Sequence, residues 1–162
     1  IVALDATLVL DRAGARREVP AAAFFTGPGE TCLRQGEIVT SVRIPAAARA
    51  RRAAWDKLQL TSDGFAIASA CASLRTNGDG RILSARVVLG GVAATPWRAR
   101  DSEAMLVGWQ DSSEDAGRAA EAWIPRAHPL PNNGWKLDAT AGLLRRVLGE
   151  ALGHRVPEQA ST

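Results

Sequence analysis

Residues 65–74, Phe-Ala-Ile-Ala-Ser-Ala-Cys-Ala-Ser-Leu, place small apolar side chains at every second position. Such a period of two is typical of a β-strand, whose successive side chains point to opposite faces. One face of the predicted strand carries Ala66, Ala68, Ala70, Ala72 and Leu74, and the other carries Phe65, Ile67, Ser69, Cys71 and Ser73. Because alanine has a short side chain, the first face lets a helix approach the sheet closely. The stretch therefore predicts a strand packed against a helix.

The flanking segments predict an antiparallel sheet followed by helices. Asn77-Gly78-Asp79-Gly80 contains residues that tolerate positive φ and predicts a reversal into a return strand over 81–89, ended by Gly90-Gly91. Further strands are predicted over 2–10, 37–44 and 53–60, a loop over 26–35, and helices over 99–107, from Ser112 or Ser113 to Trp123, and over 138–152. Strands followed by helices predict the α+β class, an antiparallel β-sheet packed against a small cluster of C-terminal helices.

Composition narrows the class of protein. The chain has 162 residues, 46% hydrophobic and 23% charged, which is ordinary for a globular protein and excludes a wholly disordered chain. It has no apolar run of the length that a membrane span requires. The net charge of +3 is small and the arginines are scattered, so nucleic-acid binding is the weakest of the functions considered. Ile1 stands first and Met105 is the only methionine, which predicts a piece or a processed product of a longer protein.

The residues alone predict neither a catalytic centre nor a metal site within the chain. Cys32 and Cys71 form no CxxC pair, and the chain has only two histidines, His128 and His154, that could join them as metal ligands. The sequence also contains no phosphate-loop motif and no nucleophile-elbow motif. Nothing in this cysteine content requires an oxidising compartment, so a cytoplasmic location is expected. The loop Gly27-Pro28-Gly29 is interpreted as a turn. The alternative interpretation is an anion-binding loop, in which its backbone N–H groups face the anion.

Lys57 has two interpretations. It is one of only two lysines, Lys57 and Lys136, in an arginine-rich chain, and it falls within an apolar strand. Its compact charge can stabilise an anion. The simpler hypothesis is a charged residue that keeps a strand edge soluble.

The order of several short segments resembles a known family. These segments are Phe24-Phe25-Thr26-Gly27, residues 36–45 (Gly-Glu-Ile-Val-Thr-Ser-Val-Arg-Ile-Pro), Lys57-Leu58, residues 65–69, residues 89–99 with Leu-Gly-Gly-Val-Ala and Thr-Pro-Trp-Arg-Ala, and residues 129–148 with Pro-Leu-Pro-Asn-Asn, Trp-Lys and Leu-Arg-Arg-Val-Leu. Together they resemble the FAD-binding medium subunit of the molybdenum hydroxylases. That family includes xanthine dehydrogenase, carbon monoxide dehydrogenase and aldehyde oxidoreductases.

The resemblance implies a domain organisation and an oxidoreductase role. Residues 1–50 are expected to be the incomplete end of the FAD-binding subdomain, 51–153 the C-terminal domain, and 154–162 a flexible tail. The subunit would relay electrons from iron–sulfur clusters through FAD to an acceptor, and it would not be active alone. Its partners would be a large subunit that carries the molybdenum cofactor and a small iron–sulfur subunit. The family's glycine-rich pyrophosphate segments lie upstream, so this chain is expected to bind FAD weakly or not at all.

The resemblance also implies four flavin-binding residues. The positions of Ile38 and Val39 border the flavin in the family, and the lysine that matches Lys57 lies beside it, where a positive charge favours the reduced, anionic form. Asp63 is the acidic residue of the adjoining loop, although here Gly64 separates it from Phe65, where the family has the acidic or tyrosyl residue directly before the Phe-Ala pair.

An alternative function is a non-catalytic interaction module or truncated relic that packs against partner subunits. Tryptophan suits such interfaces. The five tryptophans (Trp55, Trp97, Trp109, Trp123 and Trp135) are more simply expected to cover the core.

Overall fold

The fold has a central antiparallel sheet with helices on one face and a smaller β unit on the other. The computed structural model describes residues 1–61, 63–110 and 113–153. The strands are β1 (Thr7–Arg12), β2 (Ala15–Pro20), β3 (Phe25–Gly27), β4 (Glu30–Thr31), β5 (Ile38–Arg43), β6 (Arg52–Leu58), β7 (Ala68–Thr76), β8 (Ile82–Gly90) and β9 (Trp97–Arg98). The helices are α1 (Ala21–Phe24), α2 (Arg100–Leu106), α3 (Ser113–Glu121) and α4 (Trp135–Leu152), with short 3-10 helices at Val2–Leu4, Ala46–Ala50 and Ile124–Arg126. The predicted α+β class is confirmed.

The central sheet has the strand order β6-β7-β8-β9, all antiparallel. The predicted hairpin between β7 and β8 is confirmed. The Asn77 side-chain oxygen accepts hydrogen bonds from the backbone N–H groups of Asp79 (3.1 Å) and Arg81 (2.9 Å), and Gly80 has φ 79°. These local bonds stabilise the turn that sets the register of the two longest strands.

The alanine face of β7 packs against α4 as predicted. Ala68, Ala70, Ala72 and Leu74 are at most 1% exposed, and they share one core with Leu144, Val147, Leu148 and Ala151 of α4. Helix α4 begins at Trp135, so Asp138 lies in its first turn and the predicted start at Asp138 is wrong. Its predicted end is confirmed, because Gly153 adopts φ 93° directly after Leu152.

The predicted start of β7 is also wrong. The strand begins at Ala68, and Phe65 is fully exposed. The Ile67 N–H donates to the Leu58 carbonyl (2.7 Å) and the Gly64 N–H to the Thr61 carbonyl (2.9 Å). This loop begins where β6 ends, so Phe65 and Ala66 have no neighbouring strand with which to pair.

Residues 1–43 form the N-terminal unit, a three-stranded antiparallel sheet in the order β2-β1-β5. Leu8, Leu10 and Val19 bury their side chains in a core that also contains Val88 of β8. The unit therefore covers the face of the central sheet that lies opposite α4. The predicted strand over 2–10 is correct only in its second half, because Asp5 adopts φ 52° and Val2–Leu4 is a 3-10 helix.

Two further predictions concern the loops and termini. The predicted loop over 26–35 contains the short β3–β4 hairpin, in which Gly29 has φ 70°, so Gly27-Pro28-Gly29 is a turn. The flexible tail predicted over 154–162 lies outside the described residues. No helix in the described part of the chain combines the length and hydropathy needed to cross a membrane.

Glu37 ties three segments of the N-terminal unit together. Its carboxylate accepts two hydrogen bonds from the Arg17 guanidinium (2.8 and 2.7 Å) and one from the Arg34 backbone N–H (2.7 Å). Arg17 also donates to the Cys32 carbonyl (2.7 Å). The bonds from Arg17, and then from Arg34, lower the pKa of Glu37 from 4.5 to about 2. The ionised carboxylate is thus the form that the fold stabilises.

The substitution Glu37→Gln tests this cluster through pH. A carboxyl group whose pKa is lowered by folding contributes stability above its unfolded pKa and loses that contribution as pH falls through its folded pKa. We expect the variant to be less stable than the parent chain at pH 7, and we expect the difference to shrink between pH 4.5 and about 2. Urea unfolding at a series of pH values measures it. The control is Glu30→Gln, which changes an exposed glutamate in the same unit. A stability difference between Glu37→Gln and the parent chain that does not vary with pH would contradict the lowered pKa of Glu37.

The substitution Ala70→Leu tests the close approach of α4 to β7. Ala70 is 1% exposed, so three additional heavy atoms must displace α4 or a neighbouring strand. We expect a loss of about 1–3 kcal/mol in the free energy of unfolding. Ala53→Leu, an exposed position on β6, is the matched control and should change stability by less than about 0.5 kcal/mol. Equal effects of the two changes would show that the alanine face is not a packing constraint.

Candidate functional site

The face of the central sheet opposite α4, here called the outer face, carries Lys57 near its margin. The strand register pairs Lys57 with Ser69 and Trp55 with Cys71, which places these four residues on one face. Cys71 packs against the core of the N-terminal unit, whereas Trp55 is 59% exposed and Lys57 is half-buried. Strand β6 is an edge of the central sheet, so Lys57 lies at the margin of the outer face, which the N-terminal unit covers only in part.

Strand β5 presents uncovered apolar side chains from the facing layer. Val39 lies opposite Leu10 and Val42 opposite Leu8, so both valines share the face that packs on the outer face. The leucines are buried, but Val39 is 39% and Val42 44% exposed, because β5 is the edge of its sheet. A β-bulge at the Val9–Leu10 step brings both valines to this side.

Ile38 belongs to the other face of β5. It lies opposite Asp11 and is 63% exposed. Its backbone adjoins Val39, but its side chain points away from the layer that contains Leu10. The two predicted residues of β5 therefore offer different surfaces, one side chain facing the outer face of the central sheet and one facing away.

The loop between β6 and β7, which follows the strand that carries Lys57, contains several exposed side chains. Asp63 is exposed, Leu60 is 87% exposed and Phe65 is completely exposed. Sequence reasoning missed Phe65 because the alternation of residues 65–74 assigned it to a strand. Gly64 directly before it was the available signal, since glycine is depleted in strands.

The structure places the four predicted flavin-binding residues on three elements: Ile38 and Val39 on β5, Lys57 on β6 and Asp63 in the loop after β6. Val39 and Lys57 both lie on edge strands, and each is on the face of its own sheet that is turned toward the other sheet. Residues 44–51 connect the end of β5 to the start of β6. Asp63 follows in the loop after β6, and Ile38 adjoins through its backbone. None of the four lines the two clefts around Trp97. A common site for these residues stays a prediction.

Asp5 fixes the N-terminal unit to the outer face, and sequence reasoning missed it. Its carboxylate accepts hydrogen bonds from Arg51 (2.8 Å) and from Arg86 (2.9 and 3.1 Å). Burial alone raises the pKa of Asp5, but the hydrogen bonds from Arg86 and Arg51 outweigh it and the pKa is lowered. The partners stand 46 and 81 residues away in sequence, so no local pattern indicated them.

Cys32 and Cys71 are free and half-buried, and burial raises the pKa of the Cys71 thiol. Within the described ranges, His, Cys, Asp and Glu form no group of three able to hold a metal ion.

Two protein-family models match consecutive parts of the chain. The model described as FAD binding domain in molybdopterin dehydrogenase matches residues 1–47. The model described as CO dehydrogenase flavoprotein C-terminal domain matches residues 53–151, more than half of the chain.

Individual relatives agree with these matches. The carbon monoxide dehydrogenase medium chain of Hydrogenophaga pseudoflava is 28% identical over 151 residues, which are 93% of this chain and 52% of that protein. The aldehyde oxidoreductase FAD-binding subunit PaoB of Escherichia coli is 32% identical over 143 residues, which are 85% of this chain and 42% of that protein.

Solved structures share the fold. A chain of carbon monoxide dehydrogenase from Hydrogenophaga pseudoflava superposes with a TM-score of 0.83 at 31% identity, covering 93% of this chain and 53% of that one. A chain of quinoline 2-oxidoreductase from Pseudomonas putida 86 gives 0.82 at 26% identity, covering 93% and 53%. The chain thus spans about half the length of the relatives it matches. The resemblance noted in the sequence is confirmed, and the chain belongs to the family of FAD-binding medium subunits of the molybdenum hydroxylases.

Proposed function

We propose that this chain forms part of a flavoprotein subunit of a molybdenum-hydroxylase-type oxidoreductase, which relays electrons from iron–sulfur clusters through FAD to an acceptor. The observation that carries the proposal is the half-buried Lys57 near the end of β6, followed in the next loop by the fully exposed Phe65. Family membership supports the same assignment.

The chemistry of these residues fits an isoalloxazine ring. The ring is flat and largely apolar, and its reduced form carries negative charge at the polar edge. Val39, Leu60 and Phe65 offer apolar surface that no described residue covers, being 39%, 87% and 100% exposed. Lys57 offers a cation that is partly removed from solvent, so its field is less screened than that of a fully exposed lysine. When bound, FAD would supply the ability to exchange electrons singly or in pairs.

Lys57 is proposed to stabilise the negative charge of the reduced flavin. An ammonium group near the ring lowers the free energy of the anionic form relative to the neutral one and thereby raises the midpoint potential. Val39 and Phe65 are proposed to exclude water from the ring. Asp63 and the backbone of Ile38 complete the predicted border, and the division of the chain near residue 50 into two domains belongs to the same proposal.

The partners and location are proposed with the function. A large subunit with the molybdenum cofactor would oxidise the substrate, and a small iron–sulfur subunit would pass the electrons on. The exposed Trp55 (59%) and Trp135 (54%) are suited to such contacts. A cytoplasmic location is proposed from the two free cysteines. A purely non-catalytic interaction module is not favoured, because both family models describe flavoprotein domains.

The two lysines of the chain allow a controlled test with FAD. Quenching of FAD fluorescence by the 162-residue chain is titrated for the parent, for Lys57→Met and for Lys136→Met. We expect weak, saturable binding, a loss of about tenfold in affinity for Lys57→Met, equal to ~1.4 kcal/mol, and no change for Lys136→Met. Equal affinities in all three chains would contradict a role for Lys57.

The midpoint potential of the flavin gives a second readout in the full-length subunit. Removing the positive charge of Lys57 destabilises the reduced, anionic form, so Lys57→Met should lower the potential. A change of about 30 mV corresponds to ~1.4 kcal/mol for a two-electron couple. An unchanged or higher potential would overturn the proposed charge effect even where FAD still binds.

A further inference from the structure

A cleft of about 460 Å³ lies between the turn that follows β8 and the first turn of α4. Its volume falls within the range of small-molecule sites in proteins. The lining residues come from three segments: the turn over 91–94 with Trp97, the stretch over 126–130 with Trp123, and residues within 133–137 around the start of α4. None of them belongs to the proposed flavin site.

The wall at Gly91 is fixed by its backbone. Gly91 has φ 73°, and a Cβ atom there would lie 2.7 Å from the Ile67 carbonyl oxygen. Only glycine is accommodated without a shift of the main chain. The turn over 91–94 is therefore held against the start of β7.

Of the two tryptophans that line the cleft, Trp97 leaves part of its flat apolar surface accessible, whereas Trp123 is buried. Trp123 is 3% exposed and Trp97 is half-buried, and both belong to or pack against the main core. Val92 and Leu137 also pack partly against that core. Aromatic side chains in a concave site contribute large contact areas and favour ligands with a flat apolar body.

The polar groups of the cleft select for negative charge. Lys136, Arg126, His128 and Asn133 line it, and the described lining residues include no Asp or Glu. Arg126 is already paired with Asp101 (2.5 Å), which lines the neighbouring cleft. Lys136 is half-buried and forms no ion pair with the residues whose side chains the structure describes. Its charge is thus left uncompensated at a partly apolar surface.

We propose that this cleft binds a small organic anion with a flat apolar body and a single acidic group. The apolar body occupies the accessible surface of Trp97 and Leu137, and Lys136 provides the cation for the acidic group, with Arg126 at the rim. A monocarboxylic aromatic acid has this chemistry. The site is independent of FAD, since Lys57, Val39 and Phe65 take no part in it.

The probe is 1-naphthoate, titrated into the 162-residue chain by calorimetry and by tryptophan fluorescence. The neutral 1-naphthamide has the same ring without the charge. We expect saturable binding of naphthoate, binding about tenfold weaker for the amide, and a loss of about tenfold for Lys136→Met. Lys57→Met is the matched lysine control and should bind naphthoate within about twofold of the parent chain.

A second variant tests the location without altering charge. Ala93 is exposed and lines the cleft, so Ala93→Trp fills it at little cost to folding. It should abolish naphthoate binding while circular dichroism and thermal unfolding stay close to those of the parent.

Three results would overturn the proposal. These are the absence of saturable naphthoate binding, equal affinity for naphthoate and naphthamide, and a loss of binding in Lys57→Met that Lys136→Met does not show. The last result would place the anion at the flavin surface instead. Failure of FAD binding has no bearing on these outcomes, because the two sites share no residue.

Discussion

The carboxylate of Asp5 is the point at which the two layers of the molecule are joined. It accepts hydrogen bonds from Arg51, just before β6, and from Arg86 on β8. Arg51 has its Nε and Nη1 atoms buried without an acceptor, so Asp5 is the carboxylate that compensates its charge. The Arg51 side chain is 11% exposed, so loss of Asp5 would leave a largely buried guanidinium without its carboxylate, which destabilises the fold. Since Arg51 directly precedes β6, this contact ties the N-terminal unit to the start of that strand.

The central sheet uses its two faces for different purposes. The alanine face of β7 permits α4 to pack closely and forms the main core. The outer face is covered only in part, by the N-terminal unit around Val88 and Cys71, and it leaves Trp55 and Lys57 at the margin. The proposed flavin surface and the cleft at Lys136 share no residue, and each contains one of the two lysines of the chain.

Local patterns in the sequence predicted the parts of the fold that depend on local interactions. The alternation from Ala68 to Leu74, the Asn77–Gly80 turn and Gly153 after α4 each specify backbone geometry through neighbouring residues, and the structure confirms these three parts of the prediction. The strand predicted at Val2 and the strand position of Phe65 were wrong, because an apolar alternation does not record whether a partner strand is present. Asp5 and the cleft at Lys136 bring together residues that are distant in sequence. A single sequence, read without aligning it to its relatives, contains no signal for such contacts.

The central claim is that flavin binds where β5, Lys57 and the loop after β6 adjoin one another. Amide chemical shifts of the ¹⁵N-labelled chain, recorded with increasing FAD, test it residue by residue. The account predicts saturable shifts concentrated at Ile38, Val39, Lys57 and Phe65, with the amides of α4 unchanged. Shifts concentrated at residues 91–94 and 133–137 would contradict it.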